Sequence, residues 1–165
     1  MHAAAMEHAD CQTQPMSACA TCDLVQRRNQ GRAAPWDRIR RTSNWDVVHA
    51  FGTSVEGHVV LVVRRHIVAV ADMTAEEAAE LGPLIQEVSR AVQVVSDCDK
   101  TYVAQFAEHP DHPHVHVHLI PRARDLAPEH RGPRIFGRLG VSESEAVSDA
   151  RMTEIARRLD AELRI

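Results

Sequence analysis

The sequence predicts an α+β fold, an antiparallel sheet carrying one long helix and a C-terminal helix. Three observations lead there. Short β-rich runs occur in two pairs, 46–51 with 58–64 and 101–106 with 114–120. A helical apolar period separates the pairs, with Leu81, Leu84, Ile85, Val88, Val92 and Val95 on one face. Alternating His114, Val115, His116, Val117 and His118 has period two, which belongs to a strand.

The elements follow in order. Residues 1–17 lack periodicity and read as a flexible leader, which leaves 18–165 as a single domain. Residues 23–44 are polar and Arg-rich, broken by Gly31 and Pro35, and ordered structure is expected from about Trp45. The first two strands form a hairpin across a turn at Gly52–Gly57. Thr74-Ala75-Glu76-Glu77 is a capping box that starts the long helix, 74–96, and Gly82-Pro83 should kink or break its first turns. Residues 121–140, rich in Pro, Arg and Gly, are expected as an irregular loop over a site. Ser142-Glu143-Ser144-Glu145 repeats the capping pattern, which predicts a last helix from near Ser142 to about Leu163.

Composition narrows the function. The 165 residues are 44% hydrophobic with a formal charge of −4, which suits a globular domain and argues against a general nucleic-acid or membrane-surface binder. No stretch is long and apolar enough to span a membrane, and the first residues lack a signal-peptide core, so a cytoplasmic protein is expected. The cysteines Cys11, Cys19, Cys22 and Cys98 are irregularly spaced, which argues against a disulfide framework. Cys19-Ala20-Thr21-Cys22 follows a polar tail rather than a strand, so half of a metal site is the better reading than a redox pair.

The histidine row carries the chemistry. His114, His116 and His118 project from one strand face while Val115, Val117 and Leu119 face a core. Three imidazoles on one face are expensive to satisfy by burial alone. Nucleophilic attack, proton transfer or metal binding explains them better.

His114-Val-His116-Val-His118-Leu-Ile-Pro-Arg resembles the signature of the histidine-triad family. Val48-His49-Ala50 and the run from Gly57-His58 to Arg64-Arg65-His66 resemble that family's hairpin, and Cys19-x-x-Cys22 resembles the zinc knuckle of bacterial members. The resemblance spans roughly residues 19–140. It implies a nucleotide hydrolase or nucleotidyl transferase that attacks an α-phosphate through the middle histidine, His116, by way of a nucleotidyl-histidine. A dinucleoside polyphosphate or a nucleoside phosphoramidate is the implied kind of substrate. His118 would serve phosphate oxygens or the leaving group. His112-Pro113-His114 also resembles the signature of galactose-1-phosphate uridylyltransferases. In that register His114 is the nucleophile and His112 a metal ligand.

The resemblance also implies one structural zinc held by Cys19, Cys22, His49 and His114, a normal tetrahedral set. Two positions carry over as substrate contacts: Gln105 to phosphate, with a plain surface glutamine as the alternative, and Trp45 to a base, with core packing as the alternative. Arg122 opens the Arg-rich series 122–138, whose guanidinium forks suit phosphate, with simple solvation as the alternative. It implies a homodimer through the long helix and a sheet edge. Glu108, His109, Asp111 and His112 depart from the family's phosphate loop, which leaves the leaving group open. Two other classes stay open: a metal-dependent hydrolase using the histidine strand as ligands, and a non-catalytic zinc-stabilised nucleotide-binding protein.

Overall fold

A computed structural model describes residues 19–164; the expected leader lies outside the described residues. Five strands form one antiparallel sheet: β1 (Arg40–Arg41), β2 (Trp45–His49), β3 (Val59–Val63), β4 (Cys98–Gln105) and β5 (His116–Ala123), in the order β1-β2-β3-β5-β4. Three α-helices accompany it: α1 (Ala20–Asn29), α2 (Ala75–Ser96) and α3 (Asp149–Glu162). The α+β class and its two long helices match the expectation.

Cross-strand partners share a face, and the register therefore divides the side chains into two layers. Trp45, Val47, Val59, Leu61, Val63, Val117 and Leu119 point to one face, where Leu84, Val88 and Val92 of α2 and Ile155 and Leu159 of α3 complete the main core. Val48, Val60 and Val62 point to the other face, where Val25 of α1 packs on them. His116 pairs with Val62 and His118 with Val60, so the histidines belong to this second face.

Thr74 caps α2 as the sequence implies. Its hydroxyl accepts from the Glu77 amide at 3.2 Å, and the Glu77 carboxylate accepts from the Thr74 amide at 2.8 Å. The helix runs unbroken through Gly82-Pro83. Ala79, Gly82 and Pro83 are exposed, so the carbonyl that loses its partner to Pro83 meets water, while the next three turns are fastened to the core.

Three further boundaries differ. α1 lies where no element was expected, because its buried face reads Thr21, Val25, Arg28 and hides its amphipathicity behind polar residues. α3 starts at Asp149 behind an Ser148 cap rather than near Ser142. The Val141 and Val147 amides donate to the Gly52 and Thr53 carbonyls (3.2 and 2.8 Å), and this tertiary pairing holds 141–147 out of the helix. Residues 121–140 are less irregular than expected. β5 continues to Ala123, two 3₁₀ turns follow at Pro128–His130 and Gly132–Arg138, and Leu126 and Ile135 anchor the segment.

Gly57 is the one glycine with no room. At φ +76° its N–H donates to His49 Nε2, and an added Cβ would lie 2.2 Å from the Ser96 hydroxyl. No helix among the described residues is long and apolar enough to cross a membrane.

Candidate active site and metal centre

A cleft of about 380 Å³ runs between α1 and the second sheet face. Val48, Val60 and Val62 form its floor, and Thr21, Leu24 and Arg28, spaced as one helix face, form its roof. His116 and His118 stand at one end and the loop 106–112 closes over them.

Each imidazole in the cleft has a defined partner. His116 Nδ1 donates to the His114 carbonyl at 2.6 Å. Its Nε2 therefore keeps a lone pair. His118 Nδ1 lies 3.0 Å from His58 Nε2, and His58 Nδ1 lies 3.3 Å from the Thr53 hydroxyl. That hydroxyl donates to the Arg138 carbonyl (3.3 Å) and accepts from the Val55 amide (3.1 Å). Its remaining acceptor site takes the His58 Nδ1–H, so His58 Nε2 accepts from His118 Nδ1–H and His118 Nε2 is bare. Burial lowers the pKa of His116 below the usual histidine range. It pushes His118 down to about 4, with the neighbouring His116 adding to the effect. His58 is driven well below 6.5 by burial and then by His118. His58, His116 and His118 are thus held neutral at pH 7, the state in which an imidazole is a nucleophile or a base.

His114 is wholly buried and serves a second centre on the same face. Cys19, Cys22, His66 and His114 bring one donor atom each to within 4.8 Å of one another. Cys22 Sγ lies 3.2 Å from His66 Nδ1 and 3.5 Å from His114 Nδ1, and Cys19 Sγ lies 3.7 Å from His114 Nδ1. A tetrahedral ion with ordinary Zn–S and Zn–N bonds separates its ligands by roughly 3.5 Å. His114 Nε2 donates to the Val63 carbonyl at 2.6 Å, which fixes the tautomer that points a bare Nδ1 at the two sulfurs. Burial, with Cys19 alongside, pushes the Cys22 thiol up to about 12, so two neighbouring thiolates need a cation to exist there. The donor set fits zinc.

The fourth member of that cluster corrects the expected His49. His49 pairs with Val59, so it shares the sheet face of Val59 and sits at the far end of the hairpin from Val63. Both its ring nitrogens are engaged: Nδ1–H with the Ala50 carbonyl at 2.7 Å and Nε2 with the Gly57 amide at 3.1 Å. His66, just past β3, reaches the cluster instead.

Three expected substrate contacts also lie elsewhere. Trp45 is fully buried and donates from Nε1 to the Glu77 carbonyl at 3.1 Å, so it belongs to the core. Gln105 pairs with Val117 and so takes the face opposite His116. Arg122 is six residues along β5, about 20 Å from His116, where it pairs with Asp99. His112 stays outside the metal cluster, its Nδ1 2.9 Å from the Thr21 hydroxyl. His58 was not expected to take part. Its place two residues after Glu56 at the mouth of β3 gave only a hairpin signal.

The histidine-triad domain model matches residues 38–125, more than half of the chain, and the chain belongs to that family. No curated protein matches the sequence. Among solved structures it is similar to a zinc-bound histidine triad family protein from Mycobacterium smegmatis, at 22% identity over 91% of this chain and 96% of that one, TM-score 0.62. A Hit-like protein involved in cell-cycle regulation from Bartonella henselae has 16% identity over 92% and 99% of the two chains, TM-score 0.69. The NitFhit protein of C. elegans has 21% identity over 74% of this chain and 26% of that one, TM-score 0.54.

Proposed function

We propose that the protein is a nucleotide hydrolase or nucleotidyl transferase that works through a covalent intermediate on His116. The observation that carries this reading is the 2.6 Å bond from His116 Nδ1–H to the His114 carbonyl, which leaves Nε2 bare in the cleft. In the first step Nε2 forms a bond to the α-phosphorus and the bond to the leaving group breaks, that group departing with the electron pair. The Nδ1–H stays on the ring, and the His114 carbonyl stabilises the positive charge it then carries. In the second step water attacks the phosphorus, His118 Nε2 takes its proton, and the P–N bond to His116 breaks. Another acceptor in place of water makes the same enzyme a transferase.

Cys19, Cys22, His66 and His114 hold a structural zinc in this reading. The ion fastens the start of α1 to the sheet and fixes the strand that carries His116. Neither His116 nor His118 belongs to the donor cluster, which favours a nucleophilic histidine over a metal-activated water. The same separation favours His116 over His114 as the nucleophile, since His114 faces sulfur. The active unit is a homodimer, supported by the free edge of β4 and by exposed Val103 on β4 and Val94 on α2.

The test is mass spectrometry of protein quenched during turnover of adenosine 5′-phosphoramidate or a dinucleoside polyphosphate. An acid-labile, base-stable nucleotidyl adduct on the peptide holding His116 is expected. Absence of any adduct together with turnover that requires added divalent metal overturns the reading.

A further inference from the structure

The cleft has a second polar end that the reaction at His116 does not use. His116, Val62, Asp46 and Arg41 form one row across the second face of the sheet, from β5 through β3 and β2 to β1. Asp46 is thus two strand spacings from His116, roughly 10 Å. Arg28 reaches down from α1 to this row, with its NH1 3.4 Å from Asp46 Oδ2. Its Nε and NH2 grip Asp37 Oδ1 at 3.1 and 2.6 Å. Arg28 and Asp37 both line the cleft, although each is less than a tenth exposed.

The group is electrically balanced. Arg41 holds Asp46 with two bonds of 2.6 and 2.9 Å, and Arg28 holds Asp37, so two cations face two anions. Such an end does not attract a second phosphate. It offers hydrogen bonds instead. Asp37 Oδ2 takes none from any described residue, and Arg28 uses three of its five N–H groups, which leaves two. An accessible acceptor on a little-exposed carboxylate, beside a little-exposed guanidinium, is the complement of a neutral donor–acceptor edge, and it lies beyond apolar walls of Leu24, Val48 and Val60 that suit a flat ring.

We propose that Arg28 and Asp37 read the edge of the nucleobase and select one with an amino group next to a ring nitrogen, as in adenine and cytosine. The amino group donates to Asp37 Oδ2 and the ring nitrogen accepts from Arg28. Hypoxanthine and uracil present a carbonyl beside an N–H in the same places, which sets oxygen against carboxylate and N–H against guanidinium. A site built to bond a polar edge rejects the analogue that reverses it far more strongly than an apolar pocket does. This inference rests on the cleft being the nucleotide site.

The test is calorimetric titration of the full zinc-loaded protein with AMP, IMP, CMP and UMP, with inorganic phosphate as the baseline. AMP should bind at least tenfold more tightly than IMP, and CMP at least tenfold more tightly than UMP. Asp37→Asn, which supplies an amide that can donate to a carbonyl, should bring both ratios to about one or invert them. Equal binding of all four monophosphates by the unmodified protein overturns the base-reading role while leaving the nucleotide site intact. Failure of all four to exceed inorganic phosphate removes the nucleotide site itself. A variant that loses thermal stability and weakens on all four ligands alike assigns Arg28–Asp37 a purely structural role and also overturns the inference. If Asp37→Asn does not fold, the unmodified protein's four affinities decide the matter alone.

Discussion

His58 Nε2 lies 3.0 Å from His118 Nδ1, a fully buried ring backing a half-buried one beside His116. The pair is held from the far side by Thr53, whose hydroxyl is in turn tied to the Arg138 carbonyl. A side chain outside the triad thereby decides which nitrogen of His118 carries the proton.

His58→Ala should lower kcat by roughly ten- to a thousandfold, the range of a misplaced proton-transfer group. Affinity for nucleoside monophosphates should change little, because His58 sits behind His118. Steady-state kinetics together with direct titration separates the two effects. Undiminished kcat in a folded variant would remove His58 from the proton path.

His116→Ala should abolish both turnover and the covalent adduct while the melting temperature moves little, since the ring is only half-buried and its one bond is to a carbonyl that water can serve. His114→Ala should lose zinc and melt at least ~5 °C lower, because it removes a fully buried ring and its bond to Val63. The opposite pattern, an inactive but stable His114 variant beside an active His116 variant, would transfer the nucleophile to His114.

Elemental analysis should find one zinc per chain. His66→Ala should lose it and His49→Ala should keep it, although the latter strands the Gly57 amide and should destabilise the fold by about 1–3 kcal/mol. Zinc that survives His66→Ala and departs with His49→Ala would reverse the assignment.

The histidine pKa values fix the acid side of stability. An unfolded histidine titrates near 6.5, whereas folded His118 titrates near 4 and His58 well below 6.5. Between those values the unfolded chain binds more protons, so stability is fully present above about pH 6.5 and falls as pH drops towards 4. The slope is at most about 1.4 kcal/mol per pH unit for each such histidine. Thermal melts from pH 7.5 to 4.5 check this, and His58→Phe should flatten the curve. The neutral nucleophile should likewise sustain turnover below pH 6.5, and an acid limb centred at 6.5 would contradict the burial of the site.

Val94→Asp with Val103→Asp should convert a dimer to a monomer in sedimentation at micromolar concentration. A monomeric mass for the unmodified protein would exclude the homodimer.

Much of the site was legible because a strand converts spacing into direction. Alternating histidines and valines at 114–119 can bury the valines only by turning the histidines to the other side. The capping box at Thr74 is equally local, since both of its bonds close within four residues. Tertiary structure alone decided the rest. His49 and His66 flank the same hairpin and look alike in sequence, but the pairing of His49 with Val59 leaves it at the far end of the hairpin from Val63, while the chain after Val63 brings His66 to the cysteines. Trp45 and Gln105 follow the same rule, because the face a strand turns to the α2 core follows from the register of its neighbours; Arg122 is too far from His116 by spacing alone. α1 hid from the apolar period because its inner face carries the polar Thr21 and Arg28, which bond His112 and Asp37 outside the helix. Local patterns determine the strands, the long helix and the alternation of side chains along a strand; which layer each face meets, and which polar groups meet across the cleft, is settled only when long-range pairing brings them together.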